Sequence, residues 1–363
     1  MKYLFSFLLF VHGLIHLMGF ANGFGFSKLP ALTKYISKPT GVLWLFAAML
    51  FTAAAVYYLL KKENWPLFAL AAVVISQLLI IWYWKDAKMG TAANFIILLV
   101  AVPALGEWQF NRMYKKEVQR MITQPINKST STIINEQVRL LPTAVQKWLQ
   151  ASGVINRPAI QRVYLQQRGE MKNKPDGKWI PFEAEQYFTT DPPSFSWKTK
   201  ISPSDFLFIN GKDKYEQGKG NMLIKAYGLF TIADSKGPQT DQGTLLRYLA
   251  ETSWFPAAAI SEYIKWEAID DKTAKATMSY GGTTASGIFY FNANGDLEKF
   301  EADRYYINNK RSSLEKWQVT CIDHKTINGI RIPVKNNVTW KLKDGDFKWL
   351  ELEITNIQFT FTP

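Results

Sequence analysis

The sequence predicts two regimes in one chain. Four membrane-spanning helices occupy residues 1–111, and an α+β domain follows, built on a curved antiparallel sheet of about eleven strands with a helix across its concave face. Three observations carry this. Four runs in the first 111 residues are free of charge over the roughly 20 residues that a bilayer core demands of a helix. From about residue 159 polar and apolar residues alternate, with many β-branched and aromatic side chains, as half-buried strands require. One segment, 241–263, interrupts that alternation with a helical stripe.

The four apolar runs are Tyr3 to Phe24, Pro39 to Leu60, Asn64 to Trp84 and Met89 to Gly106. Lys61, Lys62, Trp65, Trp82, Trp84, Lys85 and Trp108 mark their ends, where amphipathic rings and lysines suit the headgroup level. The first run is read as a retained helix, because it is long for a signal peptide, carries His12 and His16, and lacks a small-x-small cleavage site. Seven Lys or Arg (Lys2, Lys61, Lys62, Arg112, Lys115, Lys116, Arg120) fall on the side of the soluble domain. Five (Lys28, Lys34, Lys38, Lys85, Lys88) fall on the other. The positive-inside rule then puts that domain on the cytoplasmic side.

The net charge of +13 divides unevenly: residues 1–111 hold eight basic and three acidic side chains, the remainder 35 and 27. Such a balance suits a neighbourhood of anionic lipid. With no compact basic block or recognition motif, it does not point to nucleic acid. Cys321 is the single cysteine, which excludes an intrachain disulfide and any multi-cysteine metal centre. No cofactor is implied.

Residues 112–135 read as a juxtamembrane helix and linker, and 136–363 as the soluble domain. The stretch 107–122 continues the helical pattern and is expected along the membrane surface; 123–135 is polar. A short helix is expected from Pro142 to a stop at Gly153. Strand-like runs follow at 160–172, 182–190, 194–202, 205–220 and 221–234. After the helical segment they resume at 264–270, 273–282, 284–295, 297–308, 315–324, 330–342 and 347–362. Turn signals such as Asn294-Gly295 and Asp344-Gly345 imply hairpins, hence an antiparallel sheet large enough to curl on itself. In 241–263, Leu245, Leu246, Tyr248 and Leu249 form the apolar stripe, Arg247 and Glu251 stand i,i+4, and Pro256 ends or kinks the helix.

The strings GKGNMLIKAYGLFTIAD, LLRYLAETSWFPAA, WEAIDDKTAKATM and IRIPVKNNVTWKLKDGDF resemble an uncharacterised bacterial family of unknown function. Some of its members carry a membrane region opening with a segment similar to HGLIHLMGF. The resemblance covers about residues 136–360 and implies a bacterial cytoplasmic membrane but no activity. In fold, the strand–helix–strand order is similar to the half-barrel of lipoprotein carriers and mycobacterial lipid-binding lipoproteins, in which helices plug a cup-shaped sheet. The fused membrane helices depart from those free or lipid-anchored carriers.

Candidate chemistry is sparse, and the catalytic residues are unknown. His12 and His16 share a helix face inside the membrane, where ionisable groups are functional suspects; Asn94 or Gln77 and backbone could equally satisfy them, helped by Gly13 and Gly19. Cys321, Asp323 and His324 lie together in sequence, but strand alternation puts His324 on the opposite face. Glu183 with Glu185, and Glu351 with Glu353, fit a solvated strand face as well as a cleft. Asp270-Asp271 suits a turn, and Gly218-Lys219-Gly220 lacks the helix of a phosphate site.

The first functional reading is a membrane-anchored protein whose soluble domain binds a lipid or other apolar ligand. Its mouth is expected at Arg247, Tyr248, Glu251 and Trp254, with Arg304 as a cation for a headgroup. The alternatives are a membrane enzyme using His12/His16 or soluble carboxylates, and a structural or sensing subunit with a protein partner.

Overall fold

The computed structural model describes residues 2–27, 32–124, 132–204, 207–308 and 311–361. Residues 125–131 of the expected linker, Lys28 of the charge count, the first two residues of the 205–220 run and Thr362 lie outside them. The chain forms two compact units: Met1–Arg112 with Tyr227–Leu229, and Met113–Ala226 with Phe230–Pro363.

The first unit contains α1 (Lys2–Gly23), α2 (Lys38–Leu59), α3 (Trp65–Trp82), the short α4 (Trp84–Ala87) and the start of α5 (Gly90–Ile122). Among the described residues, α1, α2, α3 and α5 are long and apolar enough to cross a membrane. Proline opens α2 and α3, where its missing N–H costs nothing. Small residues bring α1 against α2: a Cβ on Gly19 would fall 2.3 Å from the ring of Trp44, so only glycine allows this approach.

The second unit opens with the last turns of α5, then α6 (Asn135–Arg139) and α7 (Thr143–Ser152). Pro142 caps α7 at its start, and Gly153, at φ 74°, ends it in the left-handed conformation that favours glycine. Six strands follow: β1 (Ile160–Met171), β2 (Ile180–Thr190), β3 (Pro193–Ser204), β4 (Leu207–Glu216), β5 (Lys219–Ala226) and β6 (Phe230–Ser235). After α8 (Pro238–Glu251) come β7 (Ile264–Asp270), β8 (Thr273–Tyr280), β9 (Thr283–Phe291), β10 (Leu297–Asn308), β11 (Arg311–Ile327), β12 (Ile330–Leu342) and β13 (Gly345–Phe361).

All thirteen strands join one sheet in the order β6-β5-β4-β3-β2-β1-β13-β12-β11-β10-β9-β8-β7. Chain neighbours pair as antiparallel hairpins on either side of a central β1–β13 pair. The sheet curls around α8, which touches β4 and β5 of one arm and β8, β9 and β10 of the other. The two arms meet at a rim. There a Cβ on Gly218 would lie 2.4 Å from the carbonyl oxygen of Gly281, and the Thr283 hydroxyl donates to the Gly218 carbonyl at 3.2 Å. This is a half-barrel filled by a helix. Its core includes Phe188, Phe195, Tyr215, Tyr248, Phe255, Phe289 and Phe300, all fully buried. Leu245 and Leu249 anchor α8 in it, each burial contributing roughly 1.5–3 kcal/mol.

Thirteen strands stand where about eleven were expected; the twelve strand-like runs become thirteen because 221–234 holds parts of two. Tyr227 (φ 54°) and Gly228 (φ 67°) form a tight turn between β5 and β6, and a Tyr-Gly pair is a weaker turn signal than Asn-Gly. The helix of 241–263 starts earlier, at Pro238, and ends at Glu251. Two 3₁₀ turns, Thr252–Trp254 and Pro256–Ile260, complete the segment.

The end of α5 also differs from its expected place along a membrane surface. Its apolar side, Tyr114, Val118 and Met121, is buried within the second unit. The Tyr114 hydroxyl donates to the carbonyls of Ser196 (3.3 Å) and Glu185 (3.4 Å), and Lys212 meets Glu117 at 2.6 Å. Lys212 alternates with Asp213, which faces α8, so these turns cover the convex side of the sheet.

Candidate functional site

A cavity of about 260 Å³ lies between α8 and the concave face of the sheet. Strand alternation builds its wall: Trp197, Thr199 and Ile201 of β3 point inward, as do Ile209, Gly211 and Asp213 of β4, and Met222 and Ile224 of β5. Met171, Val319, Val338 and Leu352 continue the apolar surface from the central strands. The helical side is a single stripe, Arg247, Ala250 and Glu251, extended by Trp254.

Two arginines enter this apolar space in opposite states. Arg247 is saturated. Its Nη1 donates to Asp213 Oδ2 at 2.8 Å, its Nε to Glu251 Oε1 at 2.8 Å and its Nη2 to Gln186 Oε1 at 3.3 Å. Gln186 closes the ring by donating to Glu251 Oε2 at 2.8 Å, and the guanidinium lies over the rings of Phe195 and Trp197. Burial pushes the Glu251 carboxyl above its ordinary range against the pull of Arg247. Arg304, from β10, forms no hydrogen bond and no ion pair with the described residues. Its guanidinium is held by rings, 4.7 Å from the centroid of Trp317 and 6.0 Å from that of Trp340. Burial lowers its pKa to about 10.

Buried polar atoms without partners gather at this cavity. Gln167 Nε2, Trp317 Nε1, Asn336 Nδ2, Trp349 Nε1 and Asp213 Oδ1 are all unsatisfied, and all five residues line it. Interiors normally satisfy such groups, because each costs about 1–3 kcal/mol when left unmade. An open charged groove of about 840 Å³, bordered by Arg168, Glu183, Lys335 and Glu353, shares Phe182, Asn336 and Leu352 with the cavity.

Of the residues singled out from sequence, the cavity brings together Arg247, Glu251, Trp254 and Arg304. Trp254 also donates its Nε1 to the Pro333 carbonyl at 3.1 Å. Tyr248 points into the core instead: its hydroxyl donates to the Thr189 carbonyl at 2.9 Å and lies 3.3 Å from the Tyr263 hydroxyl. Sequence reasoning missed Gln167, Asp213, Trp317, Asn336 and Trp349 as lining residues. Their period-2 positions placed them on one face, but not which face.

The other candidates are engaged elsewhere. His12 Nε2 lies 3.0 Å from Asn94 Oδ1; His16 Nδ1 lies 2.7 Å from the His12 carbonyl and its Nε2 2.9 Å from Ser76 Oγ. Asn94 donates in turn to Ser76 and to Gln77, each at 3.0 Å, which closes a buried polar network within the first unit. Among the described residues, no group of three or more His, Cys, Asp or Glu is arranged to hold a metal ion.

The ladder around Cys321, Asp323 and His324 is broken by two register shifts, so strict alternation does not govern their faces. Burial pushes the Cys321 thiol up to about 12, which keeps it protonated and non-nucleophilic at neutral pH. Glu185 pairs with Lys198, Glu351 with Lys348 and Glu353 with Arg168, and Glu183 is exposed. Asp270 accepts from the Lys272 N–H in its turn at 2.8 Å.

The solved structures that resemble the chain include two of low identity. One is a domain from Vibrio parahaemolyticus assigned to outer membrane lipoprotein-sorting proteins, at 10% identity and TM-score 0.36, with 61% of this chain and 93% of that one covered. The other is a LolA superfamily protein from Nitrosomonas europaea, at 12% identity and TM-score 0.32, with 60% and 94% covered. No curated protein matches the sequence. The model of the Family of unknown function (DUF6544) matches residues 131–352, which span the second unit from before α6 into β13, and the chain belongs to that family.

Proposed function

We propose that the protein binds a lipid or other apolar ligand between α8 and the concave sheet, in a domain anchored to the membrane by α1, α2, α3 and α5. The cavity itself carries this reading: about 260 Å³ of space walled by Met171, Ile201, Ile209, Met222, Ile224 and Leu352. Well-packed interiors leave few voids larger than a water molecule, and apolar pockets with a few polar anchors are where small ligands bind. Each methylene moved from water into such a space gains about 0.8 kcal/mol. Attachment beside a bilayer would place the domain next to its supply of ligand. By the count of flanking Lys and Arg, that supply is the cytoplasmic leaflet.

The test uses the full chain in membrane vesicles and a decanoic acid analogue bearing a terminal diazirine. After irradiation and digestion, labelled peptides are expected from β1, β5 and β13, around Met171, Met222 and Leu352. Unlabelled decanoate and decanol are each expected to suppress the labelling. Label confined to the membrane helices, or label in the second unit that neither competitor reduces, would refute ligand binding and favour a protein partner for this domain.

A further inference from the structure

The cavity is apolar by area but unbalanced in its hydrogen bonding. Four donor atoms on its wall lack acceptors: Gln167 Nε2, Trp317 Nε1, Asn336 Nδ2 and Trp349 Nε1. Among the described residues that line it, a single acceptor atom, Asp213 Oδ1, lacks a donor. Indole nitrogens can only donate. The Gln167 amide is fixed the same way round, because its oxygen already accepts from Trp197 Nε1 at 2.9 Å. Gln167, Trp317 and Asn336 are each less than 5% exposed, so bulk water does not satisfy them.

Ion pairing is uneven, although the two acids and two arginines of the cavity balance in formal charge and both acids attract Arg304 at longer range. Both acids of the cavity, Asp213 and Glu251, are bound at 2.8 Å by Arg247, which leaves Arg304 as the cation without an ion pair. Arg304 packs against α8 beside Gly243, where an added Cβ would lie at ordinary contact distance, 3.5 Å from Arg304 Nε. A buried arginine that serves the fold is normally tied to a carboxylate or carbonyl, as Arg247 is, because desolvating a charge without such partners is costly. Arg304, half-buried against Trp317, lines the same cavity as the four donors.

Resting on the ligand-binding reading above, we propose that the ligand is a single-chain amphiphile with an anionic, acceptor-rich head, and that Arg304 with Trp317 Nε1 receives this head. The alkyl chain then lies over Met171, Ile201, Ile209, Met222, Ile224 and Leu352. The cavity, at about 260 Å³, has room for one medium-length chain. A carboxylate and a phosphate monoester share the required chemistry.

The experiment is competition against the same photolabel on the full chain, with decanoate, decyl phosphate and decanol, which differ only in the head. Decanoate or decyl phosphate is expected to compete on the order of tenfold or more better than decanol, because a charge-assisted bond replaces an unmet one. The better of the two identifies the head as carboxylate or phosphate.

In Arg304→Met this preference is expected to fall to about twofold or less while decanol still competes, and in Arg304→Lys to survive in part. The Met variant is also expected to melt no lower than the parent, because it removes a half-buried charge that has no ion pair; an arginine kept for the fold would give a lower melting temperature. Equal competition by decanoate and decanol in the parent chain overturns the anionic head but leaves apolar binding intact. An undiminished preference in a folded Arg304→Met overturns the role of Arg304. Failure of all three competitors overturns ligand binding itself.

Discussion

At the residue scale, environment decides what each side chain can do. Arg247 and Arg304 have the same chemistry and line the same cavity. One is fixed by two carboxylates and an amide; the other rests on indole faces. The i,i+4 spacing of Arg247 and Glu251 made their pairing legible in sequence. Tyr248 was misplaced because one residue along a helix is a turn of about 100°, which carries it off the Arg247 stripe and into the core with Leu245 and Leu249.

Cys321 gives a test at this scale. Its thiol is raised from 9.0 to about 12 by burial, so the folded state keeps this proton longer than the unfolded chain does. The associated stability is fully present below pH 9 and is lost as pH rises from 9 through 12. At pH 8 the folded chain is expected to react with a thiol reagent at least about tenfold more slowly than the chain in denaturant, where the thiol is unburied. Equal rates in a thiol titration would show that Cys321 is open.

At the element scale, the curl of the sheet depends on contacts between hairpin tips. Gln217-Gly218 and Gly281-Gly282 are turns whose residues all have positive φ, and Gly218 and Gly281 touch backbone to backbone. Gly218→Ala places a Cβ 2.4 Å from the Gly281 carbonyl and holds a non-glycine residue at φ 79°. It is expected to destabilise the second unit by about 2 kcal/mol, read from chemical denaturation of the full chain. Gly282→Ala, with positive φ but open space around it, is expected to cost less. Equal costs would mean the rim contact adds nothing beyond the turns. Most strands were legible from alternation, whereas the β5–β6 turn was not, because Tyr227-Gly228 carries little turn signal. The end of α5 was read as a surface helix because its apolar stripe has no visible partner in the linear sequence. That partner, the convex face of β2–β4, forms only when the sheet does.

At the scale of the whole molecule, binding links the cavity to the stability of the unit that contains it. A ligand held only by the folded state adds RT ln(1 + [L]/Kd), about 2.7 kcal/mol at a hundred times Kd. Decanoate at that excess is therefore expected to slow hydrogen exchange in α8, β1, β4, β5, β11 and β12 of the full chain, and to leave α1–α3 unchanged. Uniform protection across both units, or none, would argue against a site in this cavity.

The sequence by itself determined the two regimes, the helices apolar enough for a membrane, the antiparallel sheet and the helix that fills it. Those features follow from local periodicity and from lengths, which neighbouring residues encode. Only the tertiary structure decided which atoms the cavity leaves unsatisfied. Gln167, Arg304, Trp317, Asn336 and Trp349 come from five different strands, and whether a polar atom has a partner depends on what the curl of the sheet brings within about 3 Å of it.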